Sequence, residues 1–217
     1  MINRMNPWGP NWHNENHSSA EMDEILGQIF GPKCAFMGFM PAGKRKWVKT
    51  CPDSTMEVIK IHSNTGCASH PSFGLSFPWI PHGVSGSLRW HRTPKSSVID
   101  LPYERPRGTD WSITRQRTGT TERANEISAI ICETCEPWFA SMAKVRNLLT
   151  EFEWRRADAQ FQIYPQIRTA YEFWMARSGK WFGFDDATKR YLASYFGEDG
   201  FLEVTRLLEN EMAGTPK

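Results

Sequence analysis

The chain has 217 residues, 40% of them hydrophobic and 23% charged, with a formal net charge of +2. This composition is ordinary for a folded domain and excludes a fully disordered, collagen-like or coiled-coil chain. No apolar run approaches the roughly 18 residues that span a bilayer, so no transmembrane helix is expected.

Residues 1–17 read as a polar arm carrying Trp8 and Trp12. Met1–Trp8 lacks the apolar core of a signal peptide. The five cysteines, Cys34, Cys51, Cys67, Cys132 and Cys135, are odd in number and follow no disulfide framework. A cytoplasmic protein with reduced thiols is therefore expected.

Ser18-x-x-Glu21 has capping-box spacing and predicts a helix start. Met22, Ile25, Leu26, Ile29 and Phe30 then fall on one helical face. Gly31-Pro32 should kink or end that helix. The period then changes. Arg45–Thr50 and Thr55–His62 read as a hairpin, with Pro52 preset for a type I turn. Phe73, Leu75, Phe77 and Trp79 alternate with small residues, and Pro78 marks a strand end or sheet edge. Leu88–Arg92 is a short strand, residues 93–108 a loop, and Trp111, Ile113 and Arg115 alternate in a last strand.

After Gly119 the spacing is helical. Ala124, Ile127, Ile131 and Thr134/Cys135 form a stripe that Pro137 should end, and Trp138, Met142, Val145, Leu148, Leu149 and Phe152 form the next. Residues 166–177 give a third helix. Phe184 to Phe196 give a fourth, stopped at Gly197, and Phe201, Val204, Leu208 and Met212 a last. Strands in the middle with helices around them predict an α+β fold. The expected sheet is central and antiparallel, of about 4–5 strands between residues 44 and 118. The expected organisation is an arm over 1–19, an α+β domain over 20–152 and a C-terminal helical extension over 153–217.

Gly38 to Lys44 matches GxxxxGK, but Arg45 replaces the hydroxyl that would hold magnesium, and the segment leaves a helix to enter a strand. Gly83-Val84-Ser85-Gly86-Ser87 lacks the last glycine of a nucleophile elbow. Cys132-Glu133-Thr134-Cys135 is a lone CxxC near a helix end, whereas zinc usually takes four ligands. Cys51, Cys67 and His70 are the residues that would have to join it. Asp185-Asp186 reads as a helix cap. These patterns assign no catalytic residue, cofactor or metal.

Tryptophan stands out, with ten residues, several beside cations. Residues 1–118 also carry 14 Lys/Arg against 9 Asp/Glu, whereas residues 119–217 carry 12 against 15. Large rings beside arginines suit interface anchors. They also suit base stacking above phosphate-binding cations. The candidate partner-binding residues are Arg45, Trp47, Arg89, Trp90, Arg92, Trp111 and Arg115. The competing reading is a Trp-rich core with solvated cations on the opposite strand face.

Met37-Gly38-Phe39, the hairpin strand Val58 to Ser63, Phe73 to Phe77, Asp110 to Ile113 and Pro137-Trp138-Phe139 occur in that order. Over roughly residues 20–152 this order resembles a bacterial domain-of-unknown-function family, number 4304. The resemblance implies an α+β bacterial domain, of a kind similar to the immunity proteins encoded beside polymorphic toxins. The first functional expectation is thus a non-enzymatic cytoplasmic protein that binds a cognate protein toxin and occludes its active site. The alternatives are a nucleic-acid-binding module using a basic, Trp-bearing sheet, and a zinc-assisted hydrolase.

Overall fold

The computed structural model describes residues 15–63, 68–78, 80–84, 87–90, 93–144, 147, 150–151 and 165–214. Helix α1 spans Ser19–Phe36. The strands are β1 (Met40–Gly43), β2 (Lys46–Thr50), β3 (Met56–Ser63), β4 (Ala68–Ser76), β5 (Pro81–Val84), β6 (Ser87–Trp90), β7 (Leu101–Pro102) and β8 (Ile113–Thr114). Helices α2 (Thr120–Met142), α3 (Pro165–Arg177) and α4 (Asp186–Gly214) follow. The main sheet runs β1-β2-β3-β4-β7, and β7 and β8 pair antiparallel with opposite ends of β4. β5 and β6 form a separate antiparallel ribbon. The fold is α+β with an antiparallel sheet, as expected. Trp8, Trp12, Cys67, Trp79, Arg92, Val145, Leu148, Leu149, Phe152 and the centre of the Gly83–Ser87 motif lie outside the described residues.

Packing divides the chain into two compact units. One comprises Met1–Lys49, Val58–Phe73 and Tyr103–Trp138. The other comprises Thr50–Glu57, Gly74–Pro102 and Phe139–Lys217.

In the first unit the Ser18 hydroxyl accepts the Glu21 N–H at 3.2 Å, and the Glu21 carboxylate accepts the Ser18 N–H at 2.7 Å. This reciprocal cap satisfies two otherwise orphaned donors at the start of α1. Met22, Leu26, Phe30 and Cys34, four residues apart, form its buried face. Pro32 does not end this helix, contrary to the local rule. It sits on the exposed side, while Phe30 and Cys34 on either side of it are buried. Burial of that face outweighs the one missing backbone bond. The helix ends instead at Gly38, with φ +84°. There the Phe39 N–H donates to the Cys34 carbonyl at 2.9 Å and the Gly38 N–H to that of Ala35 at 3.0 Å. This pair of bonds is a Schellman motif, which favours glycine at the left-handed position.

β2 and β3 form the expected hairpin. Ser54 N–H donates to the Cys51 carbonyl around Pro52-Asp53, and Ser54 itself has φ +68°. A type I turn followed by a left-handed residue is a common three-residue hairpin connection.

Helix α2 also passes through a proline, Pro137, where an end was expected. The reason is the same: Pro137 is exposed, with Cys135 and Phe139 buried beside it. The stripe Ala124, Ile127, Ile131 and Cys135 is fully buried. Lys33 ties α1 to α2 by donating to the Ser128 hydroxyl at 2.5 Å.

In the second unit both faces of β4 are buried from Gly74 to Ser76, not the single face that alternation suggested. A Cβ on Gly74 would lie 2.3 Å from the Leu101 carbonyl oxygen, so only glycine lets β7 approach. Asp185 caps α4, its carboxylate accepting the Thr188 N–H at 2.7 Å. The expected stop at Gly197 is present as a break, with φ +76° inside the segment assigned to α4.

Candidate functional site

The seven residues singled out by sequence fall into different environments. Trp47 is 4% exposed and stacks on Phe30 at 5.9 Å. Trp111 is also 4% exposed and lies 6.1 Å from Phe73 and 6.0 Å from Tyr103, nearly parallel to both. Trp138 closes that cluster edge-on to Phe73. Trp47 and Trp111 are core while Trp138 is half-buried, and the Arg105 guanidinium reaches the cluster 5.5 Å from the Trp111 ring centre. Arg45 folds back onto Asp23, Nε to Oδ1 at 2.5 Å, and also donates to Ser63, Ser69 and the Ser19 carbonyl. Burial pushes the Asp23 carboxyl up, but hydrogen bonds from Arg45 and Lys44 outweigh it and hold the group below its ordinary range. Arg115 is half-buried and donates to the His17 carbonyl at 2.9 Å. Arg89 is exposed on β6. Trp90 pairs with Pro81 at the end of the ribbon, and its side chain lies outside the described residues, as does Arg92.

A different set of lysines and histidines shares one surface. Ile61 N–H donates to the Arg45 carbonyl and Cys51 N–H to that of Thr55, which fixes the β2–β3 register. In that register Lys46 stands opposite Lys60. Side chains alternate along a strand, so Lys60 and His62 point away from buried Ile59 and Ile61. The same alternation on β4 turns His70 and Ser72 away from buried Ser69 and Phe73. His62 Nε2 lies 2.9 Å from the Ser72 hydroxyl, which in turn donates to the Lys60 carbonyl at 3.4 Å.

The electrostatics register this crowding. Partial burial, and then Lys60, lower the Lys46 ammonium from its ordinary value. Desolvation by neighbouring side chains, then Lys60 and His70, lower the His62 imidazole. Lys46, Lys60, His62 and His70 thus form a polar strip in which the two lysines meet as like charges across strands. Sequence reasoning misses it by weighting the cations adjacent to tryptophans. The signal is present as Lys60-x-His62 and His70 on alternating strand positions, but only the register joins them to Lys46.

The other sequence motifs have structural roles. Gly38 of the GxxxxGK match is the helix-terminating glycine described above, and Lys44 pairs with Asp23 at 3.2 Å. Cys34, Cys51, Cys132 and Cys135 are reduced thiols. Burial, then the neighbouring Cys132 and Cys135, push the Cys34 thiol up to about 12, and burial raises Cys132 as well. This environment favours the neutral, unreactive thiol. Among the described residues no three His, Cys, Asp or Glu side chains group in a way that would hold a metal. Among them, too, no helix is long and apolar enough to cross a membrane.

No protein-family model, curated protein or solved structure matches the chain.

Proposed function

We propose that this chain is a non-enzymatic, cytoplasmic binding protein: an immunity protein that binds a cognate bacterial toxin through an acidic surface of that toxin and covers its active cleft. The observation that carries this reading is the strip in which Lys46 stands opposite Lys60, with His62 and His70 beside them on the adjoining strand positions. Like charges held opposite one another weaken the free protein. Carboxylates of a partner would relieve that repulsion, so the strip suits an anionic surface, and complementary charge steers association and sets specificity. The immunity assignment adds the order of motifs from Met37-Gly38-Phe39 to Pro137-Trp138-Phe139, which resembles domain-of-unknown-function family 4304.

Nucleic acid is the second reading, because phosphates would also meet these cations. Single-strand binding normally adds aromatic platforms on which bases stack. Among the described candidate rings, Trp47 and Trp111 are interior and stacked on Phe30 and Phe73. A protein partner therefore fits better.

The test is protection of cells from the toxin by co-expression. The wild-type chain should protect, and the double variant Lys46→Glu/Lys60→Glu should fold normally and fail to protect. Protection by both would remove the strip from the mechanism.

A further inference from the structure

The second unit contains a pocket of about 320 Å³, within the range of about 300–1,000 Å³ common to small-molecule sites. Its floor is apolar and buried: Leu75 and Phe77 at and just past the end of β4, and Phe139 and Met142 at the end of α2. Half-buried Trp174 on α3 adds a ring 6.2 Å from that of Phe77, with the planes at 47°, making an angled aromatic wall. Pro52, Asp53 and Ala143 line the pocket from exposed positions and mark its mouth.

The polar groups come from the β2–β3 turn and the start of β3, and they are committed within the chain. Asp53 accepts the Thr55 N–H and hydroxyl, both at 3.0 Å. Glu57 takes the Cys51 thiol at 3.7 Å and has a further interaction within the chain. The β2–β3 register also sets Lys49 directly opposite Glu57, an opposite-charge position of the kind that stabilises sheets. An organic cation entering the pocket would therefore give up its hydration without gaining an uncommitted carboxylate, and burying a charge that is not paired is costly. An anion would meet two carboxylates and, among the described lining residues, no Lys, Arg or His. What the walls offer an occupant is apolar surface and aromatic faces.

We propose that this pocket binds a small, uncharged aromatic molecule. Its ring would lie between Phe139 and the angled wall of Phe77 and Trp174, where offset or edge-to-face packing is favourable. Removal of its apolar surface from water, together with that of the floor, supplies the driving force.

The test uses the full chain at neutral pH and three probes that share a naphthalene ring: 1-naphthalenemethanol, 1-naphthylmethylamine and 1-naphthoate. Calorimetric titration should show saturable binding of the alcohol, at least about tenfold tighter than that of either ion. The alcohol should also protect Cys51, which lines the pocket, from alkylation by N-ethylmaleimide while leaving the rate at half-buried Cys132 unchanged. Ala143→Trp sets a large side chain at the mouth from an exposed position, and it should abolish saturable binding of the alcohol. If that variant does not fold, the three-probe series and the Cys51 protection still decide the matter. Either ion binding as tightly as the alcohol, binding without Cys51 protection, undiminished binding by a folded Ala143→Trp chain, or no saturable binding overturns the proposal. The strip contributes none of the lining residues, so the two readings fail independently.

Discussion

Lys46 and Lys60 face each other across neighbouring strands, on the sheet face that buries Val48 and Val58 one step further along. A directly opposed like-charged pair is destabilising by a few tenths to about 1 kcal/mol. Partial burial and Lys60 together lower the Lys46 ammonium from its ordinary value. An anionic partner placed against this pair would reduce the like-charge contact.

Lys60→Glu should therefore separate stability from function. Replacing repulsion by a cross-strand ion pair should stabilise the fold by about 0.2–1 kcal/mol. For a domain of this size that is a rise of about 1–4 °C in Tm. The same substitution should weaken partner binding. A thermal melt and a binding measurement on one preparation check both signs. A variant that melts lower and binds normally would show that Lys60 is structural.

Two groups shape the pH dependence in different windows. The folded pKa of His62 lies below its ordinary value, so the unfolded chain binds more protons near that value. Stability should then fall as pH drops through about 6.5 and level off below the folded pKa. His62→Gln should flatten this region, with Lys60 and His70 remaining as its neighbours. Glu21 is the opposite case. Hydrogen bonds from the Ser18 backbone and side chain, then from Arg117, lower its pKa to about 2. Its contribution is present above about 4.5 and lost as pH falls toward 2, and Glu21→Gln should remove that part of the acid limb. Denaturant midpoints from pH 2 to 8 for the wild type and both variants check each window.

Trp111→Ala and Trp47→Ala should unfold the protein more easily, by about 3–5 kcal/mol, because each removes a packed ring from the core. Arg89→Ala, at an exposed position, should stay within about 0.5 kcal/mol of the wild type. Chemical denaturation of the three variants checks this. A Trp111→Ala protein of unchanged stability would contradict the packing against Phe73 and Tyr103.

The Ser18–Glu21 cap, the Pro52-Asp53 turn, the Asp185 cap and the break at Gly197 are legible in the sequence. They are local events governed by a few adjacent residues, and local chemistry predicts them. The prolines are not, because their effect is decided elsewhere. Pro32 and Pro137 each remove one backbone bond, but buried residues on both sides carry the helix past them. The arginine beside Trp47 is hidden for the same reason: the partner of Arg45 is Asp23, 22 residues away, and strand alternation says nothing about that. The Lys46–Lys60 pair depends on hairpin register, which alternation along one strand does not reveal. The order of motifs along the chain names no surface, so the strip comes from the geometry alone.

The central claim is that the strip on β2, β3 and β4 binds an acidic protein surface. The most direct measurement is affinity capture from the native cells with the wild-type chain and with Lys46→Glu/Lys60→Glu, each with and without nuclease treatment, read by mass spectrometry. The account predicts that the wild type enriches a toxin protein, that nuclease leaves this capture intact, and that the double variant loses it. Capture that nuclease abolishes, or equal capture of that protein by both chains, would contradict it.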